Sequence, residues 1–517
     1  MTQNRSKKVF SNFVSQMIFQ ITASIAGFVI PMLVMSKYGI EVFGFSTSII
    51  SIVAGINILE IGLGSGFIQA LFKPIMNNNS FEINYLLTNA KKYFVKSGIF
   101  ILVGTFIVAV AYSTSSTSEI GFFELFFLAA TLLFGAVFEL VIIGKYRVLL
   151  TSDEKVGTLV NVQTGALIIS SAVRIILMTL GFGVVIMQLI ATVVYLLRVV
   201  IIKIIVAKKY PQLTFNLKVD SAHANTQKIE NSAVILHNVS ILVILNIPFL
   251  LLIMMTDLKT TSEFAVYAIV FYAVASILFA TFSQAAVASF GKIAAKKDKN
   301  ELISSFKVYE FIFSIILFSV YVSVLTLIQH FVFLYTNNNA TPLAYLPLVA
   351  ALFACAGVIY SFRVPMVTLI QADGHFKQTR GSVIIELVIL VSTSIIGVKM
   401  FGIYGVFVGM ILSAVYRAIH LIWYGNKKII IQSSLLTVKR LLFNFAFGVI
   451  IYWVISYIQA PKIDSWLKFV GLALLQGTII LILFTAFNLI IEKEMFSELK
   501  KLFITTMMKS SKKPDVS

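Results

Sequence analysis

Four arginines (Arg174, Arg198, Arg363, Arg417), three glutamates (Glu60, Glu139, Glu386) and two histidines (His237, His420) lie inside long apolar runs of this chain. A charge in such a run must be paired, hydrated or snorkelled to an interface, so each is either a structural partner or part of a site. A guanidinium recognises phosphate or carboxylate through a planar fork of donors. An isolated buried carboxylate takes up a proton rather than stay ionised, and imidazole titrates near neutral pH. The chemistry within reach is therefore anion binding and proton carriage. Covalent catalysis has no matching motif: no His-Glu-x-x-His, phosphate-binding P-loop or paired Cys is present. The lone Cys355 excludes an internal disulfide and a Cys-based metal cluster. No catalytic residue, metal or cofactor is expected, and the chain reads as a transporter rather than an enzyme.

The arginines differ in depth. Arg198 stands ten residues before Lys208, and Arg417 ten before Lys427. That is about 15 Å of helix, part of which a long side chain recovers by snorkelling. Both readings, interface anchor and ligand contact, stay open for these two. Arg363 sits deeper and precedes Pro365, which disrupts a helix locally; Arg174 lies in the outer third of its span. These two read as contacts to an anionic ligand. Glu60, near mid-span and three residues from Asn57, is either a proton-coupling site or the partner of one arginine. Glu139 and Glu386 fall nearer the inner face and are candidates for ion coupling or charge pairing. His237 is a further coupling candidate, although His237 and His420 are each more often hydrogen-bonded structural residues. Four cations against three acids favour an anionic cargo, with some arginines consumed by pairing. The picture is a water-filled cleft between two lobes, with guanidinium groups placed for a phosphate.

The elements that must hold these residues are membrane helices. Of 517 residues, 59% are hydrophobic and 12% charged, against about 25% charged in soluble domains. The apolar runs are long and continuous, unlike the alternating strands of a barrel. Fourteen spans are expected near 9–36, 44–72, 93–112, 122–147, 157–180, 183–206, 232–256, 263–290, 306–330, 343–371, 381–399, 402–426, 438–458 and 466–491. The first run is too long for a signal-peptide core and reads as a span. With this count the connections place 32 of the 41 Lys and Arg on one side and 5 on the other. The basic side is then cytoplasmic, with both termini on it. The net charge of +19 reports topology; nucleic-acid binding is not supported, since no basic soluble domain carries it.

The chain also repeats. Leu150–Lys209 can be laid on Ile370–Lys428 at an offset near 220, placing Asp153 opposite Asp373, one glycine-bearing turn opposite another and Tyr195 opposite Tyr416. Six spans per repeat is an even number, so the repeats are parallel. The expected organisation is an N-lobe over 1–206, a polar linker over 207–231, a C-lobe over 232–426, and two further helices with a basic tail over 427–517. The whole is an all-α integral membrane protein of two six-helix lobes plus two C-terminal helices. Gly62, Gly64 and Gly66 fall inside a span, where they permit close packing rather than nucleotide binding, as do Gly405 and Gly409. Asn246 and Pro248 are expected to interrupt the seventh span and free carbonyls toward a cavity. Trp466 with Lys468 reads as an interface anchor.

The run Tyr38-Gly39-Ile40-Glu41-Val42-Phe43-Gly44, followed by Leu59-Glu60-Ile61-Gly62-Leu63-Gly64, resembles the start of Wzx-type polysaccharide flippases. That family commonly has Asp where this chain has Glu60. The basic patch from Gly291 to Lys299 resembles the same family and its wider multidrug/oligosaccharidyl-lipid/polysaccharide (MOP) superfamily. The resemblance extends over nearly the whole chain and implies a MATE-like architecture in a bacterial inner membrane. It implies alternating access that carries an undecaprenyl-diphosphate-linked oligosaccharide, such as an O-antigen repeat unit for lipopolysaccharide, from the cytoplasmic to the outer face. Membrane lipids and other polysaccharide-assembly proteins would be its partners. Two rivals share the superfamily: a multidrug exporter, which would usually favour acidic cavities, and a lipid II flippase, which typically carries arginines in its first spans. A membrane polysaccharide polymerase is the rival from another class, and it would need a sizeable outer loop that this chain lacks.

Overall fold

The computed structural model describes residues 2–115, 121–153, 155–215, 232–295, 299–336, 345–431, 433–458 and 463–495. Most of the expected linker and the basic tail beyond 495 lie outside the described residues, as does the side chain of Glu60. Everything described is helix and short connection. The first six helices are α1 (Thr2–Tyr38), α2 (Ile40–Met76), α3 (Ser80–Ser115), α4 (Phe122–Ser152), α5 (Val156–Thr179) and α6 (Val184–Lys209). The next are α7 (Ser232–Met255), α8 (Leu258–Ala295), α9 (Lys299–Thr336), α10 (Pro347–Phe362), α11 (Val364–Ala372), α12 (Phe376–Phe401) and α13 (Ile403–Gly425). The last pair is α14 (Leu435–Tyr457) and α15 (Trp466–Ile491).

Among the described residues, twelve stretches are long and apolar enough to cross a membrane, and shorter apolar helices at Ile40–Val53 and Val243–Met255 belong to α2 and α7. One of the twelve, Pro347–Ala372, contains both α10 and α11. The chain is thus a multi-pass helical membrane protein. Large side chains such as Leu442, Leu467 and Leu474 stand exposed on the helices. Helices satisfy their own backbone in hydrocarbon, and lipid replaces the polar surface a soluble protein would need.

The connections between α5 and α6 and between α12 and α13 each turn on a glycine. Gly181 has φ +83° and Gly402 φ +57°. At the first, Phe182 N–H donates to Leu177 C=O at 3.1 Å and Gly181 N–H to Met178 C=O at 3.2 Å. This is the Schellman pairing that ends a helix on a left-handed residue. It lets α6 begin almost at once.

The described residues form two compact units. One is drawn from Met1–Ala265 with the stretch Val398–Val406; the other comes from Val266–Asn337, Pro342–Gly397 and Phe407–Ser517. In the first, α4 packs along α2, α3 and α6, and α5 lies against α1 and α6. Leu128, Leu133, Leu140, Ile143 and Leu149 bury one side of α4 in that core. Gly64 belongs to this packing, since an added Cβ would meet Val148 Cγ2 on α4 at 3.2 Å. The second unit centres on aromatic rings: Phe353 stacks on Phe271 at 5.3 Å and meets Phe407 edge-on at 4.7 Å.

Two sequence features resolve differently. Pro365 does mark a break, with α10 ending and α11 beginning around Arg363. Pro248 does not: α7 runs through it without interruption. Proline removes one helical hydrogen bond, and apolar surroundings give the backbone no better partner than the remaining helix. The expectation of an interrupted seventh span is therefore corrected.

Gly409 yields a first prediction. A Cβ there would stand 2.7 Å from Leu390 O and 2.8 Å from Ser394 N, both backbone atoms of α12. Backbone cannot swing aside, so Gly409→Ala should force α12 and α13 apart and destabilise the protein by about 1–3 kcal/mol. Thermal unfolding of the purified protein in detergent checks this; an unchanged midpoint would refute the close approach.

Candidate functional site

The buried charges assemble separately in each unit. In the first, Arg198 on α6 is 1% exposed and ion-pairs with Glu139 on α4. Its guanidinium also lies over the Tyr195 ring, 3.8 Å from the centroid. Arg147, farther along α4, approaches the other Glu139 oxygen at 3.7 Å. Arg174 on α5 stands apart. Its Nε donates to Gln188 Oε1 at 3.3 Å, and Gln188 Nε2 donates to Thr192 Oγ1 at 2.9 Å. Among the described residues no carboxylate pairs with Arg174.

In the second unit one carboxylate serves two arginines. Glu386 on α12, 2% exposed, accepts from Arg363 Nη1 on one oxygen. Its other oxygen lies 3.4 Å from Arg417 Nε on α13. Arg417 Nη1 also donates to the Thr379 carbonyl at 3.3 Å and to Ser382 Oγ. Arg363 covers the Tyr360 ring at 3.9 Å. The break around Arg363 places that side chain at a helix junction, while Glu386 and Arg417 come from two helices joined by the Gly402 turn. Two guanidinium groups on one carboxylate leave this trio with one excess positive charge. A buried excess charge is costly unless an opposite charge reaches it, so the trio suits an incoming anion.

Of the sequence candidates, the structure joins Arg198 to Glu139 and joins Arg363 and Arg417 to Glu386, while Arg174 donates to the Gln188 amide. His237 is half-buried on α7, where its carbonyl accepts from Ser240 Oγ at 2.7 Å. Glu60 lies on α2 with its side chain outside the described residues.

The sequence reading missed a third cluster. Arg440, counted among the loop charges, is 2% exposed inside α14. Its Nη1 donates to Glu310 Oε2 of α9 at 2.8 Å, and its Nη2 to Glu492 Oε2, just beyond α15, at 2.7 Å. Thr437 Oγ1 donates to Glu310 Oε1 at 2.8 Å. One turn deeper, Asn444 and Asn488 exchange amide bonds at 3.0 and 2.7 Å. The available signal was Glu310, a carboxylate inside an apolar run. The reading of four cations against three acids is corrected accordingly: this cluster adds one buried arginine and a buried glutamate.

The sequence matches no protein-family model and none of the curated proteins it was compared with. The fold is nonetheless similar to those of solved transporters. It is similar to the lipid II flippase MurJ in an inward closed conformation, at 14% identity over 94% of this chain and 99% of that one, with a TM-score of 0.61. It is also similar to an inward-facing multidrug resistance MATE family transporter, at 15% identity over 87% and 100%, TM-score 0.52. A third is a MOP superfamily transporter from Pyrococcus furiosus with a binding pocket of reverse polarity, at 15% identity over 88% and 95%, TM-score 0.51. At such identities the likeness establishes architecture, and the buried charges of this chain must carry the rest.

Proposed function

We propose that this protein is a flippase that carries a polyprenyl-diphosphate-linked oligosaccharide, an O-antigen or related surface-polysaccharide unit, across a bacterial inner membrane by alternating access. The observation that carries the reading is the trio of Arg363, Arg417 and Glu386, whose net positive charge lies buried among helices. A diphosphate is the anion such a pair of forks fits best. The polyprenyl tail stays in hydrocarbon while the charged headgroup needs the protein, because an ion cannot cross lipid unaided. Arg174 in the first unit, which donates to the Gln188 amide and pairs with no carboxylate among the described residues, is a further candidate contact for an anionic ligand. The fold serves both drug exporters and a lipid flippase, so the sign of the buried charge separates them, and here it favours an anion. The boundaries 1–206 and 232–426 for the two lobes, cytoplasmic termini, and Glu60 as a coupling carboxylate belong to the same proposal.

The test uses surface polysaccharide made by a strain that lacks its own flippase. Arg174→Gln should reduce the product at least tenfold at normal protein level, and Arg174→Lys should retain part of it. Removing a charge-assisted contact of about 1.5–3 kcal/mol corresponds to that range. Full activity of the Gln variant would remove Arg174 from the site.

A further inference from the structure

The strongest feature outside the buried charge clusters is a turn that occurs twice. It joins α4 to α5 in the first unit and α11 to α12 in the second. The backbone closes it the same way in both: Lys155 N–H donates to Leu150 C=O at 2.8 Å, and His375 N–H to Ile370 C=O at 3.0 Å. Both donor and acceptor are offset by the same repeat length. The side chains match as well. In the first unit Lys155 pairs with Asp153, and its Nζ also donates to Tyr210 Oη at 3.2 Å, while Tyr210 O–H donates to Asp153. In the second, His375 Nε2 lies 3.2 Å from Asp373 Oδ2, and Nδ1 lies 2.8 Å from Tyr424 Oη. Each turn thus combines an aspartate, a basic group two residues later, and a tyrosine at or just past the end of a later helix: α6 in one unit, α13 in the other.

The difference lies in the basic group. A lysine keeps its charge across the physiological range, whereas an imidazole gains and loses one within it. We propose that the Asp373–His375–Tyr424 turn is a proton-binding site, loaded from the adjoining aqueous phase, that sets how firmly the start of α12 is held to the end of α13. The Asp153–Lys155–Tyr210 turn is its permanently charged counterpart.

The geometry shows how the proton acts. When doubly protonated, the ring donates from both nitrogens, to Asp373 and to Tyr424 Oη, and the ion pair adds to the hydrogen bonds. When neutral, Nε2–H can still donate to Asp373 and the Tyr424 O–H can donate to Nδ1, but both bonds lose their charge assistance and the ion pair is gone. The latch is stronger with the ring charged than with it neutral. The neighbours do not obscure this. His420, one turn back on α13, stacks on Tyr424 at 6.2 Å and on Tyr416 at 6.4 Å. Lys377 and Arg380 on the first turns of α12 are exposed and screened. Arg363, Glu386 and Arg417 form their own ion cluster along the same helices. The site therefore ties α12 to α13 at their ends, while Glu386 and Arg417 tie them farther along. Proton uptake at the turn biases the same helix pair that holds the proposed anion site. The inference rests on that reading only for its consequence in transport; the latch itself does not depend on the cargo.

Amide hydrogen exchange of the full-length protein in lipid nanodiscs tests it without cargo. Spectra are taken at pH 6 and pH 8 and corrected for the intrinsic pH dependence of exchange. In the wild type the segment 370–380 should exchange at least threefold more slowly at pH 6, while 150–158 stays level. His375→Lys should make the second turn behave like the first, slow at both values. Lys155→His should transfer the pH dependence to the first turn. Equal corrected rates for 370–380 in the wild type would overturn the proposal, as would pH dependence that survives His375→Lys. Should His375→Lys fail to accumulate, Lys155→His alone decides: no new pH dependence at 150–158 sinks the idea.

Discussion

Glu386→Ala is expected to be the most damaging single substitution among the buried charges. Glu386 pairs with Arg363 and Arg417 at once, so its loss leaves two buried guanidinium groups without a counter-ion. Removing one partner of a buried ion pair costs about 3–5 kcal/mol, and here two pairs go together. The measurable result is a large drop in the unfolding temperature in detergent and poor accumulation in the membrane. A paired experiment separates support from transport. Replacing Glu386, Arg363 and Arg417 together by Met or Leu removes every charge, and such replacements are often neutral or stabilising. If the trio receives the anionic headgroup, the triple variant folds and does not transport. A triple variant that folds and transports normally would reduce the trio to a packing device and withdraw the proposed site.

These clusters also show what a sequence can and cannot reveal. Twelve of the expected spans were legible because lipid imposes length and apolarity on each one, while the second and seventh hold shorter apolar stretches. The tight connections at Gly181 and Gly402 were legible because a left-handed residue at a helix end favours glycine. The repeat was legible from Asp153 and Asp373, but the reason for their correspondence was not. Tyr210 and Tyr424 complete the two turns from the far ends of later helices, and no local pattern connects them to an aspartate some fifty residues earlier. At the Tyr210 turn the consequence is visible in the phenol, whose ionisation is pushed well above its ordinary range by burial and by the neighbouring Asp153 carboxylate. Pairing among arginines and glutamates was hidden for the same reason. Glu139 reaches Arg198 from α4 to α6, whereas Glu386 on α12 reaches helices before and after it. The repeat preserves an arginine near the inner end of its last helix, as Arg198 and Arg417, without preserving the helix that answers it. Arg440 was misplaced because it lies close to a span end among other basic residues, where a topological role is the simpler explanation.

Arg440 leads to the second large effect. Arg440→Met would strand Glu310 and Glu492, at a cost of about 3–5 kcal/mol. The contrast with Glu386 lies in what the cluster joins. Arg440 connects α14 to α9 and to the residue that ends α15, and the reciprocal Asn444–Asn488 pair continues the seam between α14 and α15. Rings deeper along the same helices complete it, with Phe447 stacked on Phe487 at 4.0 Å and Phe484 near Phe318 of α9 at 6.2 Å. Its charges sum to net negative, two carboxylates against one guanidinium, so nothing in it invites an anion. The expected outcome is that Arg440→Met lowers the unfolding temperature in detergent. Adding Glu310→Gln and Glu492→Gln should restore both stability and transport, because the seam then holds neutral groups and the anion-facing trio is untouched. If that triple variant recovers its stability but not transport, the terminal helix pair does more than anchor, and the arginines of α10–α13 are not sufficient to explain translocation.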